Sequence, residues 1–211
     1  MNKINQARAS RIYLSLGATA ALGILLGCGE IGGAGQCNGV DVTGMCVTLD
    51  SIQPVNVQGE NTNDVDIFQD PDCDGDPETF DPEPFGSHGA TVTISANLMP
   101  GVTSPPAPGF VTWEKYTVEY DPSPTNINFA PPLNIQEFGE TIKVNADSST
   151  ESTLEMMPLP IKEQYVIDSG GFETTSYTVI YTFTGKTQFN QEIALKGSTS
   201  IIVGAFANCG S

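Results

Sequence analysis

The chain has 211 residues, 25 acidic and eight basic side chains, and a formal net charge of −17. So acidic a protein repels nucleic acid and anionic lipid headgroups, which excludes nucleic-acid binding as its function. Its length suits one domain of good size, or one domain with an ordered N-terminal extension.

The first 27 residues have the organisation of a secretory signal peptide. Three basic residues and no acid lie in the first 11 positions, and a mostly apolar or small stretch follows at 12–27, too short for a membrane span. The stretch ends Leu25-Leu26-Gly27-Cys28, which resembles the lipobox of bacterial lipoproteins. This resemblance implies cleavage before Cys28, diacylglycerol on its sulfur and usually a third acyl chain on its new amino group.

Residues 28–44 are expected to form a lipidated tether. Two or three acyl chains together anchor a protein stably, whereas one does so only marginally. Without residues 1–27 the chain keeps 25 acids and five lysines, a formal charge of about −20, so the lipid and not the surface charge must hold it at the membrane. Gly29 rather than aspartate follows Cys28, which by resemblance to enterobacterial sorting implies the outer membrane. The glycine-rich run at 29–35 is typical of a flexible linker.

Four further cysteines remain, and an even number in an exported chain predicts two disulfides. Three connectivities are possible. The short separation of Cys37 and Cys46 favours a bridge between them, which leaves Cys73 to pair with Cys209. The spacing of the four does not resemble a zinc site.

Alternation of apolar and polar residues predicts a chain of β-strands. Residues 45–57 are expected to form an early strand pair. Residues 59–89, here called the acidic segment, have no periodic apolar face and are expected to form a long loop. Beyond them the pattern predicts a helical turn or two at 161–168 and strands at 90–98, 110–120, 133–138, 140–146, 176–184 and 192–206. In the last two strands, alternation places these residues on one face each: Tyr177, Val179, Tyr181 and Phe183 in the first, and Ile193, Leu195, Ile201 and Val203 in the second.

Strands of this length, separated by turn residues, predict an all-β fold, an antiparallel β-sandwich at 90–211 that follows a strand pair and acidic loop at 45–89. The stretches VTWEKYTVEYDPSP, ETIKVNA and SYTVIYTFTGKTQFNQEIALKGSTSIIV resemble the immunoglobulin-like β-sandwich domains of many bacterial lipoproteins, particularly those of deltaproteobacteria. The resemblance covers Thr91 to Phe206. It implies a fold and an address in the cell envelope, and it implies no activity.

The acidic segment contains the pattern DxDxDG at 70–75. This pattern resembles the first half of an EF-hand calcium loop, because alternate carboxylates in a tight turn can point into one cavity. The resemblance implies calcium ligands at Asp70, Asp72 and Asp74, a main-chain carbonyl from Asp76, and Asp81 where the family has a bidentate glutamate.

Two interpretations of this pattern stay open, a loose calcium site and a solvated acidic loop held by Cys73. Pro77 departs from the EF-hand pattern, and no helix is predicted on either side. Oxygens from the neighbouring stretch NTNDVD could complete a coordination shell, and they favour calcium: Asn61, Asn63, Asp64 and Asp66.

Other chemistry-bearing residues have ordinary structural explanations. His88 is the only histidine and lies in GSHGA, which predicts an exposed turn histidine with no catalytic partner. Strand alternation places Trp113 on the face opposite Tyr116 and Tyr120. These aromatic residues, with Phe110, could stack on sugar rings, although packing in the core is their usual role. Filling of gaps in the core is also the best account of three methionines: Met99, Met156 and Met157.

The leading functional hypothesis is a noncatalytic structural or binding module of the cell envelope, which calcium could stabilise and whose partner is an envelope protein or a glycan. The alternative is a carboxylate-dependent hydrolase, or a carbohydrate-binding protein, that acts on glycans. Paired carboxylates can hydrolyse a glycosidic bond, so a pocket with two facing acids would favour the hydrolase.

Overall fold

The computed structural model describes residues 37, 39–42, 44–70, 72–76, 78, 81–99, 108–124, 130–170 and 174–206. Within these ranges the chain forms nine strands and one helix. In chain order they are β1 (Val40–Asp41), β2 (Met45–Val55), β3 (Asp64–Asp66), β4 (His88–Leu98), β5 (Phe110–Pro122), β6 (Gln136–Asn145), β7 (Ser148–Met157), α1 (Leu159–Ser169), β8 (Thr175–Thr187) and β9 (Glu192–Gly204).

The strands form two sheets with a shared apolar core. One sheet has the order β1-β2-β4-β7, and the other has the order β3-β9-β8-β5-β6. Neighbouring strands are antiparallel, except that β3 runs parallel to β9. The expectation of an all-β fold is therefore confirmed.

Alternation along the strands produces the core. In β8, the side chains of Tyr177, Val179, Tyr181 and Phe183 are buried, as the sequence pattern predicted. Most of the buried tyrosines also bind backbone groups, as expected for a polar tip in a dry core. The hydroxyl of Tyr116 donates to Glu155 O at 3.2 Å and accepts from Glu155 N at 3.0 Å, which links β5 in one sheet to β7 in the other.

A β-bulge in β5 changes which side chains face the core. The register of β5 shifts between Trp113 and Lys115 against both of its neighbours. One extra residue in a strand reverses the phase of alternation after it. Trp113 therefore lies on the same buried side as Tyr116 and Tyr120, and its predicted position on the opposite face is wrong.

Two other predictions of strand boundaries need correction. The separate strands expected at 133–138 and 140–146 are one strand, β6, which passes through Gly139 without interruption. Residues 45–57 do not form a pair of strands. They provide the single strand β2, whose partners are β1 and β4.

Helix α1 closes one end of the sandwich, and a helix at 161–168 is confirmed. Pro160 lies in its first turn, where a missing N–H has no cost, and Gly170 ends it with φ of 76°. Ile161 and Tyr165 are buried, and the Tyr165 hydroxyl donates to Thr175 Oγ1 at 2.8 Å. The helix is thereby joined to the start of β8.

The acidic segment is not a loop throughout, so that prediction is wrong in part. Its residues Asp64–Asp66 form β3, and Ile67 N donates to Gly204 O at 3.0 Å. Its last two residues begin β4, where His88 pairs with Met157. The segment therefore packs at the same end of the sandwich as α1, here called the α1 end. The chain enters at the opposite end, where Met45 pairs with Leu98.

Candidate functional site

Four ionisable side chains are buried together at the α1 end. Asp66 is the last residue of β3, and Lys162 lies in α1. Glu83 and His88 lie near the end of the acidic segment, His88 as the first residue of β4. Their exposed fractions are 2%, 1%, 3% and 1%. This charged cluster is unusual, because aspartate, glutamate and lysine are almost never fully buried unless they are paired.

The two carboxylates of the cluster hold backbone groups from other parts of the chain. Asp66 Oδ1 accepts hydrogen bonds from Phe68 N at 3.2 Å and from Phe206 N at 3.0 Å. Glu83 Oε2 accepts from Asp70 N at 3.2 Å. The carboxylates thus join the acidic segment to itself and to the end of β9, which is a structural role.

Lys162 is the only cation of the cluster at neutral pH. Burial lowers the pKa of its amine from 10.5 to about 8, while the negative charges of Asp66 and Glu83 oppose the shift. The Phe85 ring covers the ammonium, with Nζ 4.4 Å from the ring centroid. Within the described part of the chain, Nζ has no hydrogen-bond acceptor, and Asp66 Oδ2 has no hydrogen-bond donor.

His88 is buried, so its prediction as an exposed turn histidine is wrong. Burial and the nearby charge of Lys162 lower the pKa of its imidazole from 6.5 to about 4. Asp66 and backbone groups of Gly86 and Asp64 oppose this shift. The ring is therefore neutral near pH 7, and it adds no positive charge to the cluster.

An apolar groove of about 420 Å³ lies beside the cluster. Lys162 and Glu163 contribute to its walls, and the remaining lining is apolar: Ile67, Phe68, Phe85, Leu159, Val166 and Ile167. Three of these side chains leave much of their surface in water, Phe68 at 39%, Leu159 at 40% and Ile167 at 78%. A concave apolar surface beside a few polar groups is the usual form of a small-molecule site, and the volume lies in the usual range.

The aspartates of the DxDxDG pattern form a series of short turns. Asp72 Oδ1 accepts from Gly75 N at 2.9 Å, and Asp74 Oδ1 accepts from Asp76 N at 2.9 Å. Asp70 and Asp76 make the same kind of bond to the backbone two residues on. Gly75 supplies the left-handed backbone, with φ of 71°. Asp81 contacts the turn through its backbone, because its main-chain carbonyl oxygen accepts a hydrogen bond from Cys73 N at 2.8 Å.

These turns use carboxylate oxygens that the sequence pattern assigned to calcium. In the described ranges, no group of three or more His, Cys, Asp or Glu side chains is arranged to hold a metal ion. Asp66, a further candidate ligand, lies in the charged cluster instead, where it binds the backbone of Phe68 and Phe206.

Some of the other candidate residues lie in the core, and others lie outside the described residues. Trp113, Tyr116 and Tyr120 are buried, so they offer no platform for a sugar ring, and Met156 and Met157 are buried as well. Cys37 and Cys46 form a disulfide with Cα atoms 5.3 Å apart. Cys73 is also disulfide-bonded. The lipidation site, Cys28, and the expected partner of Cys73, Cys209, lie outside the described residues.

Sequence reasoning missed Lys162 and Glu83 as site residues. One signal was available for Lys162. In a helix, Leu159, Tyr165 and Val166 lie three or four positions from it on the same face, and a lysine among apolar residues is out of place. Glu83 had no such signal, because it is one of 25 acidic residues and lies in a stretch of sequence rich in them.

Comparison of the chain with protein-family models, with curated proteins and with solved structures gave no match. No helix in the described ranges is both long and apolar enough to cross a membrane.

Proposed function

We propose that the protein is a lipid-anchored, noncatalytic binding module of the cell envelope, and that it holds a small apolar molecule in the groove at the α1 end. The groove is the observation that carries this proposal. Exposed phenylalanine, leucine and isoleucine side chains gather there around a concavity, and exposed apolar clusters of this kind mark binding sites.

The lipobox and the position of the groove support such a module. The lipobox at Leu25–Cys28 supports acylation of Cys28 and, with Gly29, an outer-membrane location. The disulfide Cys37–Cys46 fixes the chain entry beside the start of β2. The groove lies at the far end of β4, about 33 Å away at 3.3 Å per residue. The groove therefore lies at the end of the sandwich opposite Cys37 and Cys46, where the described chain begins.

Strand order supports an immunoglobulin-like classification of the sandwich. In that fold, strand F lies between strands C and G, and strand B lies between strands A and E. Here β8 lies between β5 and β9, and β4 lies between β2 and β7. The order corresponds if α1 occupies the connection between strands E and F.

A carboxylate hydrolase has less support. The two buried acids, Asp66 and Glu83, accept bonds from backbone N–H groups, and Glu163 is the one carboxylate among the groove residues described. A calcium ion at the acidic turn stays a proposal that depends on the sequence pattern.

Anchoring can be tested by detergent phase partitioning. The wild-type protein should enter the detergent phase, and Cys28→Ser should enter the aqueous phase, because the acyl chains provide the membrane affinity. Retention of Cys28→Ser with the membrane would contradict the anchor.

Binding in the groove can be tested with the uncharged fluorescent probe N-phenyl-1-naphthylamine. Ile167 is 78% exposed, so Ile167→Glu should fold normally and weaken probe binding by about tenfold or more, through a charge placed at an apolar wall. Phe189→Glu is the matched control. Phe189 is 55% exposed and follows the far end of β8, roughly 40 Å along the strand. Equal effects of the two variants would contradict a site in the groove.

A further inference from the structure

The amine of Lys162 lies beside the groove and lacks a hydrogen-bond acceptor in the described residues. A protonated amine has three N–H donors, and leaving a buried charged donor unpaired is costly. No acceptor for Nζ exists in the described ranges, and the face of the Phe85 ring covers it at 4.4 Å. Lys162 and Phe85 both line the groove, so a molecule that moves the ring aside can reach Nζ.

The charges around Lys162 determine which kind of acceptor fits. Asp66 and Glu83 both interact with the amine, so the cation already faces two anions. His88 stays neutral near pH 7 and cannot balance a third anion. A ligand carboxylate would add negative charge to a buried site in a strongly acidic protein, whereas an uncharged oxygen would not.

We propose that the groove binds an uncharged molecule with an apolar body and one accepting oxygen, as in a ketone, ester or amide, and that this oxygen accepts a hydrogen bond from Lys162 Nζ. The apolar body packs against the groove walls, and the oxygen takes the place of the Phe85 ring over the ammonium. This inference rests on the proposed use of the groove as a binding site.

Three compounds of similar size separate the alternatives: hexanophenone, an uncharged ketone; hexylbenzene, which has no oxygen; and 4-pentylbenzoate, an anion. Each competes with N-phenyl-1-naphthylamine for the full-length chain that carries Cys28→Ser, in which acyl chains cannot take up the probe. Hexanophenone should displace the probe at a concentration about tenfold or more below that of hexylbenzene, the ratio expected for a hydrogen bond to a charged donor. The benzoate should compete less well than the ketone.

The preference for the ketone should depend on Lys162. In Lys162→Met the ratio between ketone and hydrocarbon should fall to about one. Since this change leaves Asp66 without its cation, the same ratio is measured in Lys162→Met with Asp66→Asn, which restores the charge balance. Lys143→Met is the matched control and should keep the ratio. Lys143 Nζ lies 4.0 Å from the Phe110 ring, a similar pair at the other end of the sandwich.

Outcomes that overturn this inference differ from those that overturn the proposed function. If the probe does not bind, the groove is not a binding site and the proposed function fails. If the probe binds but the wild-type ratio is near one, if the ratio survives Lys162→Met, or if the benzoate competes better than the ketone, only the role of Lys162 and the ligand class fail.

Discussion

The acidic segment contains two groups of carboxylates, a buried group (Asp66 and Glu83) and a surface group (Asp70, Asp72 and Asp74). They differ in how far along the chain their hydrogen-bond partners lie. Asp66 and Glu83 are buried, and Asp66 binds the backbone of a residue 140 positions away. Asp72 and Asp74 lie at the surface, where their Oδ1 atoms accept hydrogen bonds from backbone groups two or three residues further along the chain. The first group therefore fastens the segment to the sandwich, whereas the second shapes a local turn. Identical residue types thus have different roles, and packing decides which.

The largest expected effect comes from removing the cation of the buried group. Lys162→Met should lower the free energy of unfolding by about 3–5 kcal/mol, because it leaves two buried carboxylates without a positive charge. Urea denaturation measures this. Adding Asp66→Asn should recover a large part of the loss, since asparagine keeps the Oδ1 acceptor for Phe68 and Phe206.

An exposed ion pair provides the control for that variant. Lys115 binds Glu137 at 3.1 Å, and both side chains are well exposed. Lys115→Met should therefore cost less than about 1 kcal/mol. Equal costs for Lys115→Met and Lys162→Met would show that burial does not distinguish the two lysines.

The second prediction concerns the disulfide of Cys73, which lies between Asp72 and Asp74 of the surface group. Cys73→Ser should lower the free energy of unfolding by about 2–4 kcal/mol. If Cys209 is the partner, the closed loop is long, and the loss should exceed that of Cys37→Ser, whose bridge spans nine positions. Thiol titration of the denatured protein should find no thiol in the lipidated wild type and one in each variant. A free thiol in the wild type would mean that one bridge is missing.

A third prediction uses acid to test the buried group. The pKa of His88 is lower in the folded protein, about 4, than the 6.5 of the unfolded chain. The unfolded state therefore binds a proton first as the pH falls. The stability contributed by neutral His88 is complete above about pH 6.5 and decreases toward pH 4, by about 3 kcal/mol in total.

The variant His88→Leu isolates this contribution, because it keeps an apolar group of similar size without a titratable proton. Between pH 6.5 and 4, the free energy of unfolding of wild type should decrease by about 3 kcal/mol more than that of His88→Leu. Parallel pH profiles would show that the imidazole is accessible to protons in the folded state.

The smallest expected effect concerns the surface group. If Asp70, Asp72 and Asp74 hold calcium with the roughly 10⁻⁴–10⁻³ M affinity of extracellular modules, a few millimolar calcium should stabilise the fold by about 1–2 kcal/mol. The melting temperature should then rise by a few degrees beyond its rise in sodium chloride of equal ionic strength. Asp72→Asn with Asp74→Asn should abolish the difference. Equal shifts in the two salts would assign the segment to solvated turns.

Much of the fold could be predicted from the sequence because strand alternation is a local pattern. The buried faces of β8 and β9 followed from residues two positions apart, and a helical turn or two was predicted at 161–168, where α1 lies. The bulge at Glu114 could not be predicted, since it is defined by pairing with β6 and β8. As a result the predicted orientation of Trp113 was reversed.

The candidate site was much less predictable. The DxDxDG pattern correctly marked a turn. Its aspartate side chains accept hydrogen bonds from backbone N–H groups two or three residues further on, and Gly75 permits the left-handed backbone of the turn. The charged cluster joins residues from β3, the acidic segment, β4 and α1, which are far apart in sequence. The sequence pattern of GSHGA predicted an exposed His88, although α1 and the acidic segment cover it.

By itself, the sequence determined the acidic character, the strand faces away from the bulge in β5, the helix and the short turns, because each depends on residues within a few positions of one another. The lipobox at Cys28 and the envelope address remain predictions of the same local kind. Only the tertiary structure decided which of the 25 acids are buried, where Lys162 lies and that a groove adjoins it. The physical reason is that burial and the pKa of a charge depend on every group packed around it, and those groups are brought together by folding.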